Sequence, residues 1–149
     1  MQITEGHVNR VFVVRLEEGE QLPRAIETVA KEKSIHAGLV LLIGGARDGT
    51  LVVGPEKTIP QPIPMTRAFT DGHEVLGIGT LFDGEQGPEL HMHAALGRGD
   101  TVRTGCIREG MHTYLIGEII ILELAGFTAR RERDPNSGLH LLNLKSSPD

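Results

Sequence analysis

Apolar residues in this 149-residue chain gather in short runs, several of them rich in Val and Ile. Runs of this kind, bounded by Gly, Pro, Asp or Glu, are typical of buried or half-buried strands. The pattern predicts strands over residues 10–16, 34–43, 50–53, 73–82, 89–96, 101–107 and 114–124. Near the end of the sequence, residues 127–133 and 139–144 flank a turn-forming segment, which predicts a hairpin.

One segment has helical rather than strand periodicity. Leu22, Ile26 and Val29 recur at the spacing that places side chains on one face of a helix. Pro23 is tolerated there because the first turn of a helix does not need its backbone N–H. The pattern therefore predicts an amphipathic helix over residues 21–33.

A proline-rich segment divides the strand candidates. Residues 54–66 contain four prolines, which remove backbone donors and resist pairing inside a sheet. We interpret this segment as a loop or an edge, since neither flank resembles a separate domain. One helix among many strands predicts an α+β fold with a mainly antiparallel sheet, as a single domain over residues 1–149.

Composition limits the partners. Aromatic residues are only 3% of the chain and the formal net charge is −5, which argues against tight binding to DNA. The single cysteine cannot form an internal disulfide, so a reducing compartment is the simplest expectation. Neither a secretory signal nor an apolar run of spanning length is evident, and we expect a cytoplasmic protein without a membrane partner.

The most informative motif is a pair of histidines in a predicted strand. His91 and His93 are separated by Met92, so their side chains leave the same face of the strand, about 6.6 Å apart along it. Two imidazoles at this spacing can converge on one metal ion. The competing interpretation is that both are polar residues on a solvated sheet face.

The cysteine falls in the next predicted strand. A hairpin that closes about Arg98 and Gly99 would pair Leu96 with Thr101 and so place Cys106 opposite His91. Two imidazoles and a thiolate suit zinc, with other first-row transition metals as alternatives. In the competing interpretation Cys106 is a small core residue.

Two residues close in sequence could complete this site. Glu109 or His112 could supply a fourth ligand, and Glu109 is also the best nearby candidate for an acid–base group. If the position stays open instead, a water or substrate could occupy it.

Other motifs carry weaker signals. Gly44-Gly45 follows a strand without a phosphate-binding pattern, so close backbone packing is the favoured interpretation. His73 beside Glu74 is interpreted as an exposed strand start. The densest basic cluster is interrupted by a glutamate and suits an exposed strand edge better than phosphate contacts; its arginines are Arg130, Arg131 and Arg133.

Several stretches, in order, resemble the PPC (plant and prokaryote conserved) domain of bacteria, archaea and plant AT-hook nuclear proteins. They cover most of residues 10–124 and read VFVVRLEEGE, LVLLIGGARDGTLVV, EVLGIGTL, ELHMHAAL, TGCIREG and YLIGEIIILEL. The resemblance implies an antiparallel sheet flanked by one or two helices, assembled as a homotrimer.

The resemblance also bears on the histidine pair. His91 and His93 match the histidines that family members carry in a strand. The stretch 104–110 matches a family turn, with Cys106 where a histidine would stand. The Arg-Gly-Arg hook that binds DNA in the plant proteins is absent here.

Three hypotheses follow. The first is a trimeric zinc-binding protein with a small-molecule or catalytic site at His91, His93 and Cys106, whose substrate the sequence does not identify. The second is a DNA-associated regulator that uses the three arginines. The third is an assembly module without chemistry of its own.

Overall fold

The computed structural model describes residues 1–145, except for the side chains of Glu109 and Lys145. One helix and nine strands follow in order: β1 (His7–Glu17), β2 (Gln21–Leu22), α1 (Arg24–Lys33), β3 (Ala37–Pro55), β4 (Pro64–Phe69), β5 (His73–Asp83), β6 (Pro88–Arg98), β7 (Thr101–Ala125), β8 (Thr128–Arg133) and β9 (His140–Lys145). Within residues 1–145, no helix has the length and apolar character needed to cross a membrane.

The strands form one sheet in the order β4-β3-β7-β6-β5-β8-β9, with β1 and β2 paired to β7. Strand β3 pairs with both β5 and β7, and β6 pairs with the same two, so these four strands close into a ring. The pairs are antiparallel except for Asp83 with Arg130, which joins β5 to β8 in parallel. The sheet is therefore mainly antiparallel, as expected, but not purely so.

Alternation along the strands separates a core face from an outward face. In β6 the side chains of Leu90, Met92 and Leu96 are buried in the main core. The helix closes this core with Ile26, and the Glu27 carboxylate accepts a hydrogen bond of 3.0 Å from the backbone N–H of Leu90. The residues between the buried ones in β6 consequently face outward.

Two predicted breaks are absent because long strands bend and continue. The single strand β3 includes residues 37–43 of the first predicted segment and all of 50–53, and the segments 101–107 and 114–124 both belong to β7. Residues 34–36 precede β3, and Ser34 caps the helix. The register between β3 and β7 shifts at three points, and such irregularities let one strand change partners along its length.

The remaining differences lie at element ends. The helix begins at Arg24 because Gln21 and Leu22 pair with β7. The proline-rich segment leads into β4, an edge strand, which is where prolines are tolerated. The C-terminal hairpin is present as β8 and β9.

Candidate metal centre

His91 and His93 lie on the outward face of β6, on either side of the buried Met92. Their rings meet edge to face with centroids 5.0 Å apart. The two Nε2 atoms are 3.2 Å from each other. The strand therefore aims two imidazole nitrogens at one point, as the alternation predicted.

Cys106 reaches the same point from β7, but in a different register from the predicted one. It pairs with His93 rather than His91, because the hairpin closes with Arg98 opposite Thr101 and turns through Gly99 and Asp100. Gly99 has φ +55°, a conformation that glycine adopts without strain. The shift is two residues, and a shift of two leaves every side chain on its predicted face.

The three donor atoms form a compact group: the two imidazole nitrogens and the Cys106 sulfur all lie within 4.8 Å of one another. A tetrahedral zinc ion with Zn–N bonds of 2.0–2.1 Å separates two histidine nitrogens by about 3.3 Å. The 3.2 Å between His91 and His93 matches this separation. The donor set and its spacing fit a transition-metal ion.

The surroundings of the cluster favour the metal-binding form of His91. Cys106 is buried, and its sulfur makes only a weak contact of 4.0 Å with the carbonyl oxygen of Ile107. Burial lowers the pKa of His91, and the positive charges of Arg131 and Arg108 and the neighbouring His93 lower it further. A neutral imidazole is the species that coordinates a metal.

The cluster opens into a pocket of about 370 Å³. Arg108 and Thr104 line it beside the three donors. Much of the remaining lining is apolar and comes from the end of β3, the proline-rich segment and the C-terminal hairpin: Val52, Val53, Pro55, Pro62, Pro64 and Leu139. A small molecule in this pocket would lie directly against a bound ion.

The structure describes the side chain of only one of the two candidate fourth ligands, His112. The Nδ1 atom of His112 lies 2.6 Å from Asp48, and the described metal-binding group does not include His112. The side chain of Glu109 lies outside the described residues.

The three arginines of the C-terminal hairpin are not equivalent. Arg130 donates to the carbonyl oxygen of Gly84 at 2.9 Å. Arg131 is 6% exposed and donates to the hydroxyl of Thr80 at 2.9 Å, while Arg133 is exposed. The buried position of Arg131, close to the histidine pair, was missed by sequence reasoning, because its only signal is alternation within β8.

The remaining motifs have structural roles. A side chain at Gly44 or Gly45 would collide with the carbonyl oxygen of Ile116 or Tyr114, so close backbone packing explains both glycines. The Nδ1 atom of His73 lies 2.8 Å from the carbonyl oxygen of Asp71, at the start of β5.

Several solved structures share this fold, two of which bear on function. A metal-containing protein of Archaeoglobus fulgidus is 27% identical, with 95% of this chain and 98% of that one covered and a TM-score of 0.83. A protein of Bacteroides thetaiotaomicron named as a candidate DNA-binding protein is 20% identical, with 93% and 97% covered and a TM-score of 0.79. At that identity the second likeness concerns the fold alone.

Sequence comparison gives one curated relative and a family. The bifunctional protein GlmU of a Synechococcus strain is 26% identical over 144 residues, which are 93% of this chain but only 21% of that protein. The chain thus spans about a fifth of that relative's length. The model of the Plants and Prokaryotes Conserved (PCC) domain matches residues 3–125, the family that the histidine strand and its neighbouring segments resemble. The chain belongs to the Plants and Prokaryotes Conserved domain family.

Proposed function

We propose that this protein binds one transition-metal ion per chain, with zinc preferred, through His91, His93 and Cys106. The observation that carries the proposal is the convergence of three donor atoms within 4.8 Å of one another. Two imidazoles and a thiolate are a zinc-type ligand set. The metal-containing relative from Archaeoglobus fulgidus, similar along nearly its whole length, supports the same conclusion.

The site has the form of a working metal centre. Three protein ligands leave a coordination position free, and the pocket in front of the cluster gives a small molecule access to it. A metal in such a position polarises a carbonyl group or activates water. Metal-dependent chemistry on a small molecule is therefore the enzymatic form of this proposal, with its substrate still to be identified.

Elemental analysis of protein purified without an affinity tag tests the metal site. We expect about one metal ion per wild-type chain and loss of most of it in Cys106→Ala and His93→Ala, since two donors bind far more weakly than three. His36→Ala is the matched control, because His36 is an exposed histidine that contacts Asp83 away from the cluster. Full occupancy in both site variants would refute the site.

We further propose that the protein is a homotrimer, as its family resemblance implies. Four apolar side chains support an interface on the outward face of the ring, because Leu41 pairs with Ile78 and Ile43 with Leu76. All four are exposed, Leu76 to 65%. A contiguous apolar patch of this kind usually meets another protein surface.

Light scattering tests the trimer. The wild-type protein should have about three times the mass of the 16.2 kDa chain. Leu76→Asp should lower that mass, since a charge would be buried in the interface. A wild-type protein that stays monomeric at micromolar concentration contradicts the proposal.

The alternative of a DNA-associated regulator has weaker support. Arg130 and Arg131 already donate to backbone or side-chain oxygens within the protein. The formal net charge of −5 opposes phosphate binding, and a trimer would multiply it. The Bacteroides protein named for DNA binding is too distant to transfer that role.

A further inference from the structure

Positive charge is concentrated around the candidate metal centre. Arg108 lines the same pocket as His91, His93 and Cys106, and no aspartate or glutamate is among the described residues that line it. A divalent ion held by one thiolate and two neutral imidazoles would add a further positive charge. An uncompensated set of cations in a pocket favours an anionic occupant.

A second arginine stands behind the histidine pair. Arg131 is almost fully buried, and its Nη2 donates to the carbonyl oxygen of Thr80 at 3.3 Å and to its hydroxyl at 2.9 Å. Thr80 is the cross-strand partner of His91, so the guanidinium lies beside the cluster.

The guanidinium of Arg131 lies over the ring of Phe82, with its Cζ atom 5.8 Å from the ring centroid. Its Nε is buried without a hydrogen-bond partner, and no described carboxylate lies within 4.0 Å of its guanidinium. Burial lowers the pKa of Arg131, while Glu89 and Cys106 act in the opposite direction, and the Glu89 carboxylate also contacts His140 at 3.1 Å. Burial of a cation without a salt bridge is costly, so the positive charge of Arg131 beside the cluster is kept at the expense of stability.

Apolar residues form much of the rest of the pocket lining. Three prolines and Val52, Val53 and Leu139 make up this apolar wall, and Val52 is the cross-strand neighbour of Cys106. A purely hydrophilic anion would leave this wall in contact with water. A molecule with a charged group at one end and an apolar body at the other fits both halves.

We propose that the pocket binds a small amphiphilic anion whose carboxylate or phosphate oxygen takes the open metal position beside Arg108, with its apolar body against the proline-rich wall. The proposal rests on the proposed metal site, because the open position belongs to the bound ion. Carboxylates and phosphates both offer such an anionic oxygen, and the experiment below distinguishes between them.

Cobalt-loaded protein allows a direct test, because its visible absorption changes when a ligand enters the metal shell. Metal content is measured first, and the protein is then titrated with benzoate, phenyl phosphate, benzamide and acetate. Benzamide lacks the negative charge of benzoate, and acetate lacks its apolar ring. Each should therefore bind at least about tenfold more weakly than benzoate. Tighter binding of phenyl phosphate than of benzoate would assign the anion as a phosphate, and the reverse order as a carboxylate.

A matched pair of arginine variants tests whether Arg108 supplies the positive charge that binds the anion. Arg108→Gln should weaken benzoate binding about tenfold or more, because a charge-assisted hydrogen bond is lost. Arg103→Gln should change it less than about twofold, since Arg103 is exposed and donates toward Ala68 in a different pocket. Both residues are exposed, so neither substitution should prevent folding.

The outcomes separate this inference from the proposed function. If cobalt binds but benzoate and benzamide bind equally, or both arginine variants behave alike, the anion proposal is overturned and the metal site stands. If no cobalt binds to the wild-type protein, the metal site itself fails.

Discussion

Two histidine clusters in this molecule have opposite electrostatic settings. His112 contacts Asp48 at 2.6 Å, Asp48 also accepts from Arg47 at 2.9 Å, and Arg47 reaches Glu18 at 3.0 Å. Basic and acidic side chains therefore alternate along this line of contacts. His91 and His93 instead face each other and a thiol, and the positive charges of Arg131 and Arg108 act on His91.

The difference shows how partners decide what a histidine does. A carboxylate holds His112 in place, so that cluster ties β3 to β7. Two charged imidazoles with Nε2 atoms 3.2 Å apart would repel each other, and the lowered pKa of His91 favours the neutral form that coordinates a metal. We infer that the first cluster serves the fold and the second binds a metal.

The pKa shifts follow the same contrast. Hydrogen bonds from Arg47 and then from His112 lower the pKa of Asp48, because both favour its ionised form. The pKa of His91 is lowered by burial and by positive neighbours, which favour its neutral form. One environment therefore stabilises charges and the other suppresses them.

The largest expected effect is that alanine substitutions in the two clusters change different quantities: the stabilisation by metal in one case and the stability of the metal-free protein in the other. A metal ion at one thousand times its Kd should stabilise the wild-type protein by about 4 kcal/mol, and His93→Ala should abolish most of that gain. His112→Ala should keep the gain but lower the free energy of unfolding of the metal-free protein by about 0.5–1 kcal/mol, as for partly exposed ion pairs. Denaturant unfolding with and without zinc measures both.

The same unfolding experiment also compares the metal-free His93→Ala variant with the metal-free wild-type protein. His93→Ala should leave the metal-free protein nearly as stable as wild type, because His93 is exposed and has no carboxylate partner among the described residues. If His112→Ala also removes the zinc-dependent gain, the two clusters are not independent and the division of roles is wrong.

Local patterns explain what could be predicted from the sequence. Alternation within β6 placed His91 and His93 on one face, and the short distance to the next strand brought Cys106 to them. The register was wrong by two residues, because turn residues alone do not decide whether a hairpin turns through Arg98-Gly99 or Gly99-Asp100. The cluster survived this error because strand faces repeat every two residues.

Long-range contacts account for what was missed. The contact of Asp48 with His112 joins residues 64 positions apart, and Arg131 meets Thr80 across 51 positions. The periodicity of a single strand contains no information about such pairs. For a similar reason, the sequence pattern predicted two separate strands in place of each of the continuous strands β3 and β7. The bends in these strands depend on which neighbouring strands they pair with at each point.

The smallest expected effect concerns acid stability. Because the folded-state pKa of Asp48 is lowered, the folded protein holds that proton less tightly than the unfolded chain does. The stabilisation is therefore present above the ordinary aspartate value of 3.8 and is lost as the pH falls through the lower folded-state pKa. We expect Asp48→Asn to flatten the pH dependence of the free energy of unfolding in this acidic range.

Unfolding of metal-free protein by urea, repeated at several pH values from about 2 to 5, measures this dependence. Asp100→Asn serves as the control, because Asp100 lies in the exposed β6–β7 turn. The effect should be modest, since Asp48 is partly exposed and water screens its ion pairs. Identical pH profiles for Asp48→Asn and wild type would show that the carboxylate of Asp48 does not stabilise the fold, and the histidine beside it would then lose its structural assignment.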